Sequence, residues 1–93
     1  MNQPAFNARE TLSVGQSSTG FTAATYGNAR YAIATVEAVP VRVTVDGTAA
    51  SATVGHLAEV GDFIRLKNQD QIRKFRAYAL SGTASLQASF GIK

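Results

Sequence analysis

The chain has 93 residues, of which 45% are hydrophobic and 16% charged, and its formal net charge is +3. A chain of this length forms one domain and buries about 65% of its unfolded surface, which leaves no room for a second core. It contains no cysteine, so disulfide scaffolds and thiolate chemistry are excluded.

Residues 1–20 are mostly small and polar, and they predict an N-terminal arm ahead of a β domain that spans residues 21–93. The only regular element that the arm suggests is a short strand over residues 9–14. Apolar anchors on such an arm can lie on the surface of a neighbouring subunit. The side chains predicted to make these external contacts are Phe6, Leu12 and Val14.

The first ten residues, MNQPAFNARE, lack the apolar stretch of a signal peptide. No run in the chain approaches the roughly 20 apolar residues of a membrane helix. We therefore expect a protein that has no membrane partner and that stays in the cytoplasm or is assembled there.

Alternation with a period of two predicts the strands of the domain. In VPVRVTVDG, the side chains of Val41, Val43 and Val45 share one face, which is typical of a half-buried strand. In DFIRLK, Ile64 and Leu66 are predicted to point inward. ARYAIATVEA alternates in a similar way, and FRAYAL is a less regular candidate. The inward residues predicted for the last strand are Leu86, Ala88, Phe90 and Ile92.

Two further elements follow from local signals. NQDQIRKF predicts a single helical turn that Asn68 or Asp70 could cap. LSGT, at 80–83, predicts a turn that joins the last two strands as a hairpin. Six to eight short strands at intervals of about ten residues predict an all-β fold, either a compact β-sandwich or a small barrel.

The only histidine, His56, lies between Ser51 and Asp62 in VDGTAASATVGHLAEVGDFIRL. These are the residue types of a hydrolytic triad, but the glycines of a nucleophile elbow do not flank Ser51. One histidine and scattered aspartates do not make a metal shell, and no Gly-rich loop opens a helix to bind phosphate. We therefore expect no catalytic residues, no metal and no cofactor, and we interpret the stretch as a crossing between sheets.

The basic residues are unevenly distributed. Residues 65–93 hold six basic side chains and one acidic one, whereas residues 1–64 hold three basic and five acidic ones. Such a bias indicates either a solubilising face or contact with an anionic partner. Phe63 and Tyr78 lie near these cations in the sequence, which leaves a barrel that binds single-stranded nucleic acid as an alternative. The cations predicted to contact a partner are Arg65, Lys67, Arg73, Lys74 and Arg76.

The sequence from VRVTVDGTAASATVGHLAEVGDFIRL to IRKFRAYALSGTASLQASF resembles a type of small bacteriophage virion protein. The shared pattern is a strand ending in DGTAA, then VGHL, then GD opening a strand, and a last strand SLQASF. It covers about residues 28–92. This chain has Ala50 where proline is expected after the DGTA turn, so the loop is expected to be less rigid.

The resemblance implies a compact β-sandwich without enzymatic activity that coats or joins parts of a phage particle. The expected role is that of a capsid decoration or cement subunit, present in many copies or as a homo-oligomer in the virion. Its expected partners are the major capsid protein or other virion proteins. A head–tail connector or a tail component is the alternative within the same class.

Overall fold

The computed structural model describes residues 6–91 of the chain. Within that range seven strands form two antiparallel sheets, with strand orders β1-β7-β2-β5 and β4-β3-β6. Two short helices lie between strands along the chain. The elements are β1 (Phe6–Val14), α1 (Ala23–Tyr26), β2 (Tyr31–Glu37), β3 (Val41–Thr44), β4 (His56–Ala58), β5 (Phe63–Leu66), α2 (Gln69–Lys74), β6 (Arg76–Ala79) and β7 (Ala84–Gly91). The predicted all-β fold is confirmed. Neither helix of residues 6–91 could span a bilayer.

Both sheets contribute their alternate residues to one core. Val36, Leu86 and Phe90 come from the four-stranded sheet, and Val41 and Ala77 come from the three-stranded sheet. All five side chains are fully buried. Period-two alternation places every second side chain on the same face of a strand, so each sheet has one apolar face and one face toward solvent.

Three phenylalanine rings fill the part of the core that joins the sheets to the loops. Phe21 stacks on Phe75, with ring centroids 4.6 Å apart, and meets Phe90 edge-on at 5.1 Å. Offset stacks and edge-to-face contacts are the favourable geometries of aromatic pairs. The segment before α1, the end of α2 and strand β7 are therefore held at one point.

Strand β1 occupies much of the segment that the sequence assigns to an arm. It pairs antiparallel with β7 along most of its length, and Leu12 and Val14 are 6% and 0% exposed in the chain's own core. The prediction that these two side chains contact a partner is therefore wrong. Phe6 begins β1, but its side chain lies outside the described part of the chain, as do residues 1–5 of the predicted arm.

The local strand and helix predictions agree with the structure. Leu66 is buried and Ile64 half-buried, and the inward face of β7 is as predicted up to residue 91; Ile92 lies outside the described residues. The helical turn is α2, and Asn68 is its N-cap, since the side-chain Oδ1 of Asn68 accepts a hydrogen bond from the Gln71 amide at 2.9 Å.

Two connections differ from the predictions. Residues 80–83 do not close a hairpin, because β6 and β7 belong to different sheets, and this short segment carries the chain across the core. Strands β3 and β4 pair with each other, so residues 45–55 form a long hairpin loop. The crossing predicted for the whole stretch is confined to residues 59–62, between β4 and β5.

Candidate interaction surface

The exposed large hydrophobic residues of the described chain all lie within residues 54–63. They are Val54, Leu57, Val60 and Phe63, with exposed fractions of 41%, 47%, 53% and 59%. Single exposed apolar side chains are ordinary on protein surfaces, but a concentration of them marks an interaction site. We call residues 54–63 the apolar stretch.

The apolar stretch connects two sheet edges. Strand β4 is an outer strand of the three-stranded sheet, and β5 is an outer strand of the four-stranded sheet. An outer strand has backbone N–H and C=O groups without a neighbouring strand, and these groups can pair with another chain. Exposed apolar side chains and two open edges therefore occur in consecutive elements.

Arg42 fixes the loop that leads into the apolar stretch. Its Nε donates to the carbonyl of Ala52 and its Nη1 to the carbonyl of Gly55, both at 3.1 Å. Gly55 has a φ of 123°, and a Cβ at this position would lie 2.9 Å from the carbonyl oxygen of Val43. Only glycine allows the loop to pass this close to β3, so the start of β4 has a defined position.

The same loop is tied to the N-terminal half of the chain at Ala50. Its amide donates a hydrogen bond to Ser18 Oγ at 3.1 Å, and its side chain is buried. Proline at this position would lack the donor. The alanine therefore allows a tertiary hydrogen bond that proline at this position could not make.

The side chains of Ser51, His56 and Asp62 have separate local roles and do not form one site. Ser51 Oγ accepts hydrogen bonds from the amides of Thr53 and Val54, and Asp62 Oδ2 accepts one from the amide of Glu59 at 2.8 Å. His56 and Leu57 are exposed, so neither side chain anchors the segment in the core. The first and last of the three candidates stabilise turns.

Asp46 stabilises the turn that follows β3. Its Oδ1 accepts a hydrogen bond from the Thr48 amide at 3.0 Å. This hydrogen bond lowers the pKa of the Asp46 carboxyl below its ordinary value, with a smaller contribution from the positive charge of Lys74. A hydrogen bond from an aspartate to the backbone two residues on is the usual way in which this residue type stabilises a turn.

Three of the five predicted cations have partners within the chain. Arg73 and Lys74 both pair with Asp70, with Lys74 Nζ 3.2 Å from the carboxylate, and they lower the pKa of the Asp70 carboxyl. Arg76 Nη1 donates to the carbonyls of Phe75 and Arg73, at 2.6 and 3.1 Å. These contacts give the three cations roles in the chain's own structure.

The remaining two cations, Arg65 and Lys67, are on or just after β5. Arg65 is exposed, and its guanidinium carbon lies 5.9 Å from the centre of the Phe63 ring, within the range of a cation–π contact. The five cations predicted as one group therefore divide between the end of β5 and the segment from the end of α2 to the start of β6.

Arg65 and Lys67 line a shallow groove with residues from the start of β2. One depression of about 430 Å³ is lined by Arg30, Tyr31, Lys67, Asn68 and Gln69. A neighbouring one of about 290 Å³ is lined by Tyr31, Ala32, Ile33, Arg65, Leu66 and Lys67. They share Tyr31 and Lys67, so they form one continuous surface, which we call the β5 groove. Its lining includes three cations and no carboxylate.

Sequence reasoning missed Arg30 and Tyr31 as members of this groove. Both lie far from Arg65 in the chain, and the pairing of Ile33 with Arg65 in the β2–β5 register brings them together. The only signal available in the sequence is the strand pattern of ARYAIATVEA, which does not say which strand is its neighbour.

At the opposite end of the same sheet face, polar side chains of neighbouring strands form hydrogen bonds with each other. Gln87 Oε1 accepts hydrogen bonds from Arg9 Nη2 and Thr11 Oγ1, each at 2.9 Å. Gln87 Nε2 donates to Glu37 Oε1 at 3.4 Å. This network fixes Arg9, Thr11 and Gln87, whereas Phe63 and Arg65 at the β5 end of the face are exposed.

Within residues 6–91 no group of three or more histidine, aspartate or glutamate side chains could hold a metal ion. Comparison of the chain with protein-family models, with curated protein sequences and with solved structures finds no match in any of the three.

Proposed function

We propose that the chain is a non-enzymatic structural protein of a bacteriophage particle, a capsid decoration subunit that bridges neighbouring capsid proteins. The observation that carries the proposal is the apolar stretch on two consecutive sheet edges. The same residues lie within the part of the sequence that resembles small virion proteins. A bridging subunit requires a rigid body and an accessible contact surface, and the two sheets and the apolar stretch supply these.

The accessible surface of the molecule determines what share of it a bridging interface would cover. The accessible surface is 5120 Å², and a specific interface covers about 800 Å² on each partner. Interfaces have an apolar centre and a polar rim. The exposed Leu57, Val60 and Phe63 would supply the centre, and the cations of the β5 groove would lie at its rim.

The number of copies in the particle tests this proposal. In purified particles of the virus whose genome encodes the chain, quantitative mass spectrometry should find it in hundreds of copies, at a fixed ratio to the major capsid protein. A dozen copies would instead support a head–tail connector or a tail component. Absence from the particles would contradict both roles.

A double substitution tests whether the apolar stretch is the surface that attaches the chain to the particle. Replacing Val60 and Phe63 by serine should reduce attachment to particles that lack the chain. The matched control is serine at Ala23 and Ala24, two exposed residues of α1. If both double variants attached equally well, the apolar stretch would not be the contact surface.

The contact between Arg65 and Phe63 favours binding of single-stranded nucleic acid as a second candidate function. Proteins of this kind combine a basic groove with aromatic rings on which bases stack. This function predicts binding of a twelve-nucleotide oligo-dT that weakens steeply as salt rises. Absence of such binding at low salt would eliminate it.

A further inference from the structure

We propose that the open edge of β5 binds an extended, acidic segment of a partner polypeptide, which adds a strand to the four-stranded sheet. The inference rests on the proposed function in that it takes the partner to be another virion protein. It names the chemistry of that partner, which the apolar stretch alone does not.

Hydrogen bonds at the end of the β2–β5 pair fix which backbone groups face which way. The Val36 amide donates to the carbonyl of Asp62 at 3.2 Å, and the Gly61 amide donates to the carbonyl of Val36 at 2.9 Å. Val36 therefore directs its backbone groups toward the β5 side. Backbone groups alternate in direction along a strand, so Ala34 and Ala32 direct theirs to the same side.

The residues of β5 that lie opposite Ala34 and Ala32 are Ile64 and Leu66. The backbone N–H and C=O groups of these two residues therefore form hydrogen bonds with β2. The N–H and C=O groups of Phe63 and Arg65 point away from the sheet. Since β5 is the outer strand, these groups are oriented to pair with an added strand, as in β-strand addition by an extended peptide.

The positive charge beside the β5 edge favours a partner that carries negative charge. Arg30, Arg65 and Lys67 line the β5 groove without a carboxylate among them. The nearest acidic residues in the sequence are engaged elsewhere, since Asp62 accepts the Glu59 amide and Asp70 pairs with two cations of α2. An added strand that carries carboxylates on its outer face would complement the groove.

A second copy of β5 is a poorer occupant of the same edge. Antiparallel pairing of two copies centred on Arg65 would place the two guanidinium groups opposite each other, and like charges at directly opposite positions destabilise a sheet. Nucleic acid could use the cations but would leave the directed amides of Phe63 and Arg65 unused. The open edge and the groove together therefore favour an acidic polypeptide.

The geometry specifies a sequence pattern for the partner. Phe63, Arg65 and Lys67 are spaced two apart, so an antiparallel strand would present alternate residues to them. Acidic side chains belong opposite Lys67 and Arg65, and an apolar one belongs opposite Phe63. The pattern is Glu-x-Glu-x-Phe, in which other acidic and apolar residues can replace the named ones.

A direct binding measurement tests the proposal with the full chain. The probe is a fluorescein-labelled peptide, Ser-Thr-Glu-Val-Glu-Thr-Phe-Thr-Ser, whose binding is followed by fluorescence anisotropy. Two control peptides carry either lysine at both glutamate positions or N-methyl groups on the second glutamate and the phenylalanine. The first control reverses the charge, and the second removes the hydrogen bonds to the edge while the charge stays.

The proposal predicts that the acidic peptide binds and that both control peptides bind at least about tenfold more weakly. Equal binding of the N-methylated peptide would mean charge attraction without strand addition and would overturn the proposal. Failure of the acidic peptide to bind would also overturn it, and if oligo-dT bound instead, the groove would be assigned to nucleic acid.

Matched variants of the chain locate the site. Neutralising Arg65 and Lys67 to glutamine should weaken peptide binding roughly fivefold, since each exposed ion pair contributes little on its own. The same change at Arg73 and Lys74 removes equal charge from α2 and should leave binding within about twofold. Equal losses in both double variants would contradict a site at β5.

A proline substitution separates the backbone from the charge. Arg65→Pro and Arg65→Ala both remove the guanidinium, but only Arg65→Pro removes the outward N–H. Proline is compatible with an outer strand where its missing N–H faces away from the sheet. Arg65→Pro should bind the peptide roughly fivefold more weakly than Arg65→Ala, with both variants folded by circular dichroism. Equal binding by the two variants would overturn strand addition.

These results are independent of the copy-number test. If the chain is abundant in particles but the acidic peptide does not bind, the decoration role stands and the β5 inference fails. If the peptide binds as predicted but the chain is absent from particles, the edge is a binding site in a protein with another role.

Discussion

The two outer strands of the four-stranded sheet differ in how much of their binding capacity the chain itself uses. On β1, Leu12 and Val14 are buried, and Arg9 and Thr11 donate to Gln87 on the neighbouring strand. On β5, Phe63 is 59% exposed and Arg65 is exposed beside it. Both strands bury inward side chains, since Leu66 of β5 is only 2% exposed. On the solvent face, however, β1 is tied to its neighbour, whereas Phe63 and Arg65 of β5 stay exposed.

Edge β1 also carries features that disfavour pairing with another chain. Its register with β7 shifts between Phe6 and Ala8, and such irregularities interrupt the regular edge that a new strand would need. Glu10 is bound to Thr22, through the amide and the hydroxyl, at 3.0 and 2.8 Å. Being an outer strand therefore does not by itself make a binding site.

Alanine substitutions in β1 and β5 should differ most in their effect on the free energy of unfolding. Leu12→Ala should lower the free energy of unfolding by about 3 kcal/mol, because it removes buried apolar volume and leaves a cavity. Phe63→Ala should change it by less than about 0.5 kcal/mol, since the ring is mostly exposed. Urea denaturation of both variants measures the difference. Similar losses would mean that the Phe63 ring contributes to stability as a core side chain does and is not an available contact surface.

Sequence patterns predicted the parts of the fold that depend on local alternation. Val41 and Val43, Leu66, and the inward face of β7 repeat every second residue, so the burial of one predicts the next. Asn68 was recognised as a cap candidate because its side chain acts within the same turn. These signals require no knowledge of which strands are neighbours.

The pairings between distant strands could not be obtained in this way. Among the β1 side chains that the structure describes, the outward ones are polar and the buried apolar ones are Leu12 and Val14, so the segment resembles an arm until β7 is placed beside it. The β5 groove depends equally on a distant pairing, between Ile33 and Arg65. Arg65 and Lys67 were predicted from the charge distribution, but Arg30 and Tyr31 required the register.

A smaller effect is expected at the tie between β1 and the segment before α1. Glu10→Ala removes both hydrogen bonds to Thr22 and should lower the free energy of unfolding by about 1.5 kcal/mol, the usual range for hydrogen bonds to a charged group. Glu10→Gln keeps one acceptor and should cost less. The measurement is again urea denaturation, and an unchanged Glu10→Ala variant would show that this tie does not stabilise β1.

The end of β5 is held by α2, and a third prediction tests how much. The Lys67 amide donates to Gln71 Oε1 at 2.7 Å, while Asn68 caps the helix. Asn68→Ala should lower the free energy of unfolding by about 1 kcal/mol. Asn68→Asp keeps a capping oxygen and serves as the control. Equal stability of the alanine variant and the original chain would mean that α2 forms without its cap.

The smallest expected effect concerns Asp70, which ties the cations of α2 and leaves those of β5 free. Hydrogen bonds from Arg73 and Lys74 lower the pKa of its carboxyl below the ordinary value in the folded chain. A carboxyl with a depressed folded pKa contributes its stabilisation above the unfolded pKa and loses it as the pH falls through the folded value. Asp70→Asn should therefore lower the urea midpoint slightly at pH 7 and have no effect once the pH is below both values. A difference that persisted at low pH would show that Asp70 acts through something other than its charge, and Arg73 and Lys74 would then be as available to a partner as Arg65 and Lys67.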